Sequence, residues 1–201
     1  MRLLVSFVCS LATLLYAITA QAAVAVGSPA PEFSATTTQG EPLSLSSLKG
    51  KTVVLEWTNH QCPFVRKYYD KGHMQQLQKD ATAAGVVWVS INSSAAGKEG
   101  HIDAARANEL TKERGAAPSH VVLDEKGDIG RLYGAKTTPH MFVIDPKGSL
   151  VYMGAIDSKP SANTDDIAAA TNYVTAALAA LKSGKAVEPS STQPYGCSVK
   201  Y

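Results

Sequence analysis

Cys62 is the side chain with the clearest capacity for covalent chemistry. It lies in the segment TNHQCPFVRK (residues 58–67), directly before Pro63. Proline is favoured at the first position of a helix because its missing N–H would be unpaired there anyway. The sequence therefore predicts a thiol at a helix N-terminus, where free backbone N–H groups and the helix dipole favour a thiolate. Such a position lowers the pKa of a cysteine from about 8.5 into the range of about 3.5 to 7.5. We expect Cys62 to be a nucleophile.

The elements that must position this thiol alternate between strands and helices. The apolar run Val53–Trp57 predicts a buried strand directly before the Cys62 loop, and β-branched residues predict a second strand over 86–91. Helical periodicity and the positions of the glycines predict four helices. The first three are Pro63–Tyr69, Met74–Ala84 after a break at Gly72, and Ile102–Arg114. The last has an apolar stripe formed by Ile167, Val174, Leu178 and Leu181, and it ends near Gly184. Further strands are predicted at His120–Leu123, Met141–Ile144 and Leu150–Met153, the last two joined by the turn Asp145–Gly148. Alternation of this kind indicates an α/β layer architecture.

The first 22 residues predict export. They have the three regions of a secretory signal peptide: Met1–Arg2, an apolar stretch from Leu3 to Ile18, and the small-residue motif Ala20-Gln21-Ala22. The apolar stretch is too short for a membrane span. We expect a signal peptide at 1–22, a domain at 23–184 and a tail at 185–201, in a periplasmic or secreted protein. Cys9 would be lost with the signal, which leaves Cys62 and Cys197 in a compartment where disulfides persist.

Charge and composition narrow the classes of partner. The formal net charge is only +2, and the sequence contains no run of basic residues. These features favour neither nucleic acid nor an anionic membrane surface as a partner. We therefore expect no nucleic-acid partner and no membrane association after signal cleavage.

Several motifs together resemble the redoxin branch of the thioredoxin-fold superfamily, the alkyl hydroperoxide reductase/thiol-specific antioxidant group. They are the Cys62-Pro63 helix start and the segments VGSPAPEFS (26–34), LSSLKGK (45–51) and RLYGAKTTPHMFVIDPKG (131–148). The resemblance implies a central mixed β-sheet flanked by helices, a redoxin-type N-terminal extension and an extended C-terminal tail. It also implies a cis Thr138–Pro139 bond beside Cys62, with Pro139 shaping the surface that meets a partner. Glu56 matches in spacing the buried acid that moves a proton in thioredoxins.

Three positions depart from the patterns of this superfamily. Val65 replaces the second cysteine of a thioredoxin dithiol, so a local CxxC disulfide is impossible. Asn59 and Leu55 replace the Thr or Ser and the Pro that precede the reactive cysteine of typical peroxiredoxins, and Thr58 lies one place out of register. These differences favour disulfide exchange over peroxide chemistry.

Cys197 supplies the missing partner thiol. The Pro-, Ser- and Thr-rich stretch from Glu188 to Pro194 should run extended over the surface, long enough to return to the Cys62 face, and Gly196 permits close approach beside the sulfur. A Cys62–Cys197 disulfide has two readings. Cys197 could resolve an intermediate formed on Cys62, or the bond could clamp the tail permanently. Unpaired or intermolecular thiols are the third alternative.

Other polar side chains near Cys62 could act at the site, but most also have an explanation that involves no functional role. His60 and Thr58, and Arg66 and Lys67 one helical turn later, could support the thiolate. A solvated loop explains His60 as well, and the polar face of a helix explains Arg66 and Lys67. His140, after Pro139, could satisfy only local hydrogen bonds. Together with His60 and the two cysteines it could in principle bind copper or zinc, but Thr58 replaces the first cysteine of the C-x-x-x-C-P motif in copper chaperones of this fold. We expect no metal and no cofactor.

The combined interpretation is a thiol–disulfide oxidoreductase of the redoxin type with an antioxidant role in the periplasm. Cys62 would attack a protein or small-molecule disulfide, or a peroxide, and Cys197 would release the product, with a thiol reductant completing the cycle. The alternatives are a peroxiredoxin-like thiol peroxidase and a non-catalytic binding module whose disulfide is structural.

Overall fold

A computed structural model describes residues 24–201, and its centre is a five-stranded mixed sheet. The strands are β3 (Val53–Trp57), β4 (Val87–Asn92), β5 (His120–Leu123), β7 (His140–Ile144) and β8 (Leu150–Gly154). Their order in the sheet is β5-β4-β3-β7-β8, with β3 parallel to β4 and antiparallel to β7. β3 is central and fully buried, which explains why its sequence is a continuous apolar run interrupted only by Glu56.

Helices and an N-terminal extension cover the two faces of this sheet. α1 (Pro63–Tyr69), α2 (His73–Ala83) and α5 (Tyr173–Lys182) pack on one face around Met141 and Tyr152. The opposite face is covered by α4 (Asp128–Tyr133) and by the extension, which consists of the hairpin β1 (Ser34–Thr36)–β2 (Pro42–Ser44) and the 3₁₀ helix Leu45–Leu48. α3 (Ala104–Glu113) begins at Asp103, whose side chain caps it by accepting from the Arg106 N–H.

A second, two-stranded sheet joins the end of the chain to the site. β6 (Thr137–Thr138) pairs antiparallel with β9 (Cys197–Ser198). The whole arrangement is a thioredoxin fold with a redoxin-type N-terminal extension and an extended C-terminal tail, as the sequence predicts. No helix within residues 24–201 combines the length and the apolar character needed to cross a membrane. The predicted signal peptide lies outside the described residues.

The observed helices differ from the predicted ones in two respects. The single helix predicted to carry both Ile167 and Leu181 is two elements, a 3₁₀ helix at Thr164–Ala169 and α5. The backbone becomes extended at Ala170, and Asn172 caps the start of α5 by accepting from the Thr175 N–H. α4 was not predicted, since its six residues lie between Gly127 and Gly134 and are too few to show periodicity. The break predicted at Gly72 is confirmed, with left-handed backbone before α2.

Candidate active site

Cys62 lies at the start of α1, as its sequence context predicts. It is the residue that precedes the first helical position, and Pro63 occupies that position. Its backbone is fixed on both sides, because its N–H donates to the Asn59 carbonyl at 3.1 Å and its carbonyl accepts from the Arg66 N–H at 2.9 Å. The residue is fully buried, with 0% of its surface exposed. The sulfur is therefore held in one place by the loop and the helix together.

The segment around Pro139 lies directly against this sulfur. The Thr138–Pro139 peptide bond is cis, and Sγ of Cys62 is 3.1 Å from the carbonyl oxygen of Thr138. This is the juxtaposition that the resemblance to redoxins implies.

The C-terminal tail brings the second cysteine to the same point. Cys197 lies opposite Thr138 in the β6–β9 pair and forms a disulfide with Cys62, with 6.0 Å between the two Cα atoms. Gly196 is required here, since its φ is +140° and a Cβ at this position would overlap the carbonyl of Thr138. The predicted pairing of the two cysteines is present in the structure.

Glu56 is buried on the α1 side of β3 and is surrounded by donors. The side chains of Trp88, Ser90, Tyr69 and Gln78 donate to its carboxylate at 2.8, 2.9, 2.9 and 3.2 Å. Burial raises the pKa of Glu56 above its ordinary value of 4.5, although these hydrogen bonds favour the ionised form.

A small cavity connects this carboxylate's surroundings to the loop before Cys62. Its volume is about 60 Å³, enough for ordered water. Tyr69 and Ser90, two of the donors to Glu56, line it together with Thr58, His60 and Arg114. The hydroxyl groups of Tyr69 and Ser90 therefore lie between Glu56 and the loop that contains Thr58 and His60.

Of the residues predicted to support the thiolate, Thr58 and His60 line this cavity, and Arg66 does not. Burial first, and then Arg114 and Arg106, lower the pKa of His60, which favours its neutral form. Arg66 extends along α1, where its Nε donates to Asp70 at 3.2 Å. The role of these three residues as support for the thiolate stays a prediction.

His140 lies next to Pro139 in sequence but on the other face of the sheet. Its ring packs on Phe142 with 4.4 Å between centroids, and Nδ1 accepts from the Lys136 N–H at 3.3 Å. Burial, followed by Lys136, lowers the pKa of His140 to about 4. Its alternative role in local hydrogen bonding fits this position. Within residues 24–201, no three His, Cys, Asp or Glu side chains are grouped to hold a metal ion.

The comparison with known families agrees with this geometry. A model of the AhpC/TSA family matches residues 26–153, more than half of the chain. The chain belongs to the AhpC/TSA family. The match contains Cys62 and Pro139 and ends before the tail that carries Cys197.

Individual relatives of this AhpC/TSA protein share less than a third of its sequence over the aligned residues. Thioredoxin-like protein YneN of Bacillus subtilis is 29% identical over 136 residues, covering 66% of this chain and 74% of that protein. Thiol-disulfide oxidoreductase ResA of the same organism is 28% identical over 151 residues, covering 74% of this chain and 79% of ResA. The crystal structure of an uncharacterized conserved protein from Geobacillus kaustophilus is 27% identical with a TM-score of 0.72, covering 88% of this chain and 92% of that one. The general kind of protein is thus a redoxin related to thiol–disulfide oxidoreductases.

This AhpC/TSA protein also contains a buried ion pair beside the tail, which its sequence does not predict. Lys67, interpreted as part of a polar helix face, is fully buried, and its Nζ donates to Asp157 at 2.9 Å and to the Lys159 carbonyl at 2.9 Å. Tyr68 donates to the same carboxylate at 2.5 Å, and Tyr195, two residues before Cys197, donates to its other oxygen. We call these four side chains (Lys67, Tyr68, Asp157 and Tyr195) the tail latch. The only hint in the sequence is that Lys67 lies among the apolar residues of α1, and its partner is distant in the chain.

Gly196→Ala should weaken the Cys62–Cys197 disulfide. An alanine is strained at this φ and its Cβ would displace the tail from Thr138, and strain of this kind costs about 1–3 kcal/mol. At a fixed ratio of reduced to oxidised glutathione, we expect about a tenfold rise in the ratio of dithiol to disulfide protein, measured by thiol alkylation and mass spectrometry. Gly148→Ala is the matched control, because Gly148 also has a positive φ but open space around it. An unchanged ratio in Gly196→Ala would contradict this account of the tail.

Glu56→Gln should change the pH dependence of stability. Because the pKa of Glu56 is raised in the folded protein, its carboxyl loses its proton first in the unfolded chain as the pH rises from 4.5. The free energy of unfolding of the natural protein therefore falls with pH until the carboxyl ionises in the folded protein too. Each pKa unit of difference corresponds to about 1.4 kcal/mol. Urea unfolding of both oxidised proteins at a series of pH values should show this fall only when Glu56 is present. A stability difference that does not vary with pH would contradict it.

Proposed function

We propose that this protein is an exported thiol–disulfide oxidoreductase whose redox pair is Cys62 and Cys197. The observation that carries the proposal is the disulfide between the helix-start cysteine beside the cis proline and the cysteine of the tail. The relationship to ResA supports the same class of reaction. The predicted signal peptide supports action outside the cytoplasm, where a thiol reductant must be supplied to the protein.

In the dithiol form, the Cys62 thiolate attacks one sulfur of a substrate disulfide. A mixed disulfide forms on Cys62, and the other substrate sulfur leaves as a thiolate. The Cys197 thiolate then attacks Cys62, which releases the second substrate thiol and re-forms the Cys62–Cys197 bond. Two electrons pass from the protein to the substrate.

The surroundings of Glu56 support a role in the proton transfers of this cycle. A carboxyl whose pKa is raised by burial is closer to the pKa of a thiol, so it exchanges protons more readily with one near neutral pH. The hydroxyl groups of Tyr69 and Ser90 and the cavity beside Thr58 offer a route for those protons.

Peroxide is a weaker candidate substrate. Asn59, at the position of the peroxiredoxin Thr or Ser, is buried and already engaged, since its Oδ1 accepts from the Gln61 N–H at 2.9 Å and its Nδ2 donates to Glu99. Leu55 is part of the core. Neither side chain provides the contacts that activate peroxide in typical members of the family.

A structural disulfide is the alternative that one specific observation favours. Cys62 has no exposed surface while the tail is docked, so its sulfur is closed to incoming thiols, as expected of a disulfide that clamps the tail. The redox potential distinguishes the two readings, because structural disulfides lie below about −300 mV.

Stopped-flow oxidation tests the proposal directly. The reduced mature protein is mixed with a small disulfide or with hydrogen peroxide, and Cys62→Ser is the control. We expect fast oxidation by the disulfide, peroxide oxidation near the rate of an ordinary thiolate, and a potential above about −300 mV. Peroxide oxidation far faster than that of a free thiol would make the protein a peroxidase. Inertness toward both reagents would favour the binding module.

A further inference from the structure

The two sulfurs of the disulfide differ in how far a reagent can reach them. Cys62 is completely buried between α1 and the Thr138–Pro139 segment. Cys197 is partly exposed, on the short outer strand β9. A thiolate attacks a disulfide along the S–S axis from the far side of the sulfur that it strikes. The far side of Cys62 is packed protein, whereas Cys197 keeps part of its surface exposed next to the exposed Ser198.

The tail that covers Cys62 is held in place before Cys197. The Met153 N–H donates to the Ser190 carbonyl at 3.1 Å, and the Thr192 N–H donates to the Met153 carbonyl at 3.1 Å, which extends the edge of β8. The hydroxyl group of Thr192 also lies 2.6 Å from that of Tyr152. These bonds do not involve the disulfide.

The tail is equally held after Cys197. The Val199 N–H donates to the Lys136 carbonyl at 3.1 Å, and the Ala95 N–H donates to the Lys200 carbonyl at 2.8 Å. The final residue, Tyr201, donates its hydroxyl to Ala135 at 2.8 Å. With anchors on both sides, the segment around Cys197 cannot lift away without breaking several hydrogen bonds.

The tail latch adds the contact closest to the disulfide. Tyr195 donates to Asp157, and its ring packs edge-on against Phe64, at 5.9 Å between centroids. Asp157 is in turn paired with Lys67 on α1, the helix that Cys62 begins. The latch therefore ties the tail to the helix that carries the buried sulfur.

We propose that an incoming thiol attacks Cys197 and that Cys62 is the leaving group when the disulfide is reduced. This order of attack rests on the proposed function. The electron pair of the incoming thiolate forms a new S–S bond with Cys197, and the Cys62–Cys197 bond breaks with its pair on Cys62. A second thiolate then attacks the incoming sulfur of the mixed disulfide and releases Cys197. Two thiols become one disulfide, and the protein gains two electrons. The tail cysteine is thus the site of contact with the reductant, while Cys62 stays covered.

Glutathione identifies the sulfur that is attacked. The oxidised mature protein is mixed with reduced glutathione for short times and quenched in acid, which stops exchange by protonating thiolates. Free thiols are then alkylated under acidic conditions, and the peptides are mapped by mass spectrometry. We expect glutathione on Cys197 and the alkyl group on Cys62. The ratio of glutathione on Cys197 to glutathione on Cys62 should increase on extrapolation to zero time.

Other outcomes separate the two proposals. Glutathione mainly on Cys62 would overturn the order of attack and leave the oxidoreductase intact. No adduct in the native protein, with rapid reaction after unfolding, would overturn the oxidoreductase and the order of attack together.

A latch variant tests the physical cause. Tyr195→Phe keeps the ring against Phe64 but removes the hydrogen bond to Asp157, so Cys62 should be uncovered more often. We expect the share of glutathione on Cys62 to rise about tenfold, the effect of losing one hydrogen bond to a charged group. Tyr133→Phe is the matched control, because it removes a hydroxyl that donates to Pro31 at 2.6 Å, away from the latch. Equal shares in the two variants would contradict a role for the latch.

Discussion

Cys197→Ser is expected to stop the catalytic cycle after its first step. The Cys62 thiolate can still attack a disulfide, but the resolving sulfur is gone and no second cysteine lies within the helix that Cys62 begins. The variant should accumulate one substrate adduct on Cys62 per chain and show no turnover with a small disulfide and excess reductant. Intact-mass and peptide mass spectrometry measure the adduct, and reductant consumption measures turnover.

Cys62→Ser is the matched variant. It retains Cys197 in an anchored tail, and the serine in the buried position cannot attack a disulfide. Turnover should fall to the background rate of the reductant alone. Full turnover by Cys197→Ser would mean that a reductant thiol can replace Cys197. It would also assign the Cys62–Cys197 bond to stability rather than to exchange.

The elements that form the central sheet are predictable because each carries a strong local signal. β3 and β4 are apolar runs long enough to be recognised alone, and the turn at Asp145–Gly148 contains proline and glycine in suitable places. The position of Cys62 is predictable for a similar reason, since Pro63 marks the start of a helix. The pairing with Cys197 is one of the predicted alternatives, because Cys62 and Cys197 are the two cysteines outside the predicted signal peptide. The roles assigned to Glu56, Pro139 and the residues around the thiolate stay predictions.

The parts that escaped prediction depend on contacts between distant segments. β6 and β9 have two residues each, so neither shows a periodicity, and the pair exists because the tail returns to Thr138. The same holds for Lys67. A lysine in a short helix is normally solvated, and only the fold brings Asp157 to its amine.

Removal of the negative charge from the latch is expected to cost the most stability. In Asp157→Asn, the ammonium of Lys67 would remain at 0% exposure without its counterion. Removing one partner of a buried ion pair typically costs about 3–5 kcal/mol. We expect the free energy of unfolding of the oxidised protein to fall by about that amount at pH 7, measured by urea denaturation. Lys67→Met should cost a similar amount, because it leaves the carboxylate buried without its ammonium.

The pH dependence identifies the charge as the cause. Burial alone would raise the pKa of Asp157, but hydrogen bonds from Tyr195, Tyr68 and Lys67 outweigh it and hold this pKa below its ordinary value of 3.8. A carboxyl with a lowered pKa stabilises the folded state above its unfolded pKa, and this contribution is lost as the pH falls through the folded value. The stability gap between the natural protein and Asp157→Asn should therefore be full at neutral pH and narrow below about pH 3.8. Arg66→Met, which breaks the exposed pair with Asp70, is the matched control and should cost at most about 1 kcal/mol. If Asp157→Asn is as stable as this control, the latch is not held by its ion pair, and the tail depends on its backbone hydrogen bonds alone.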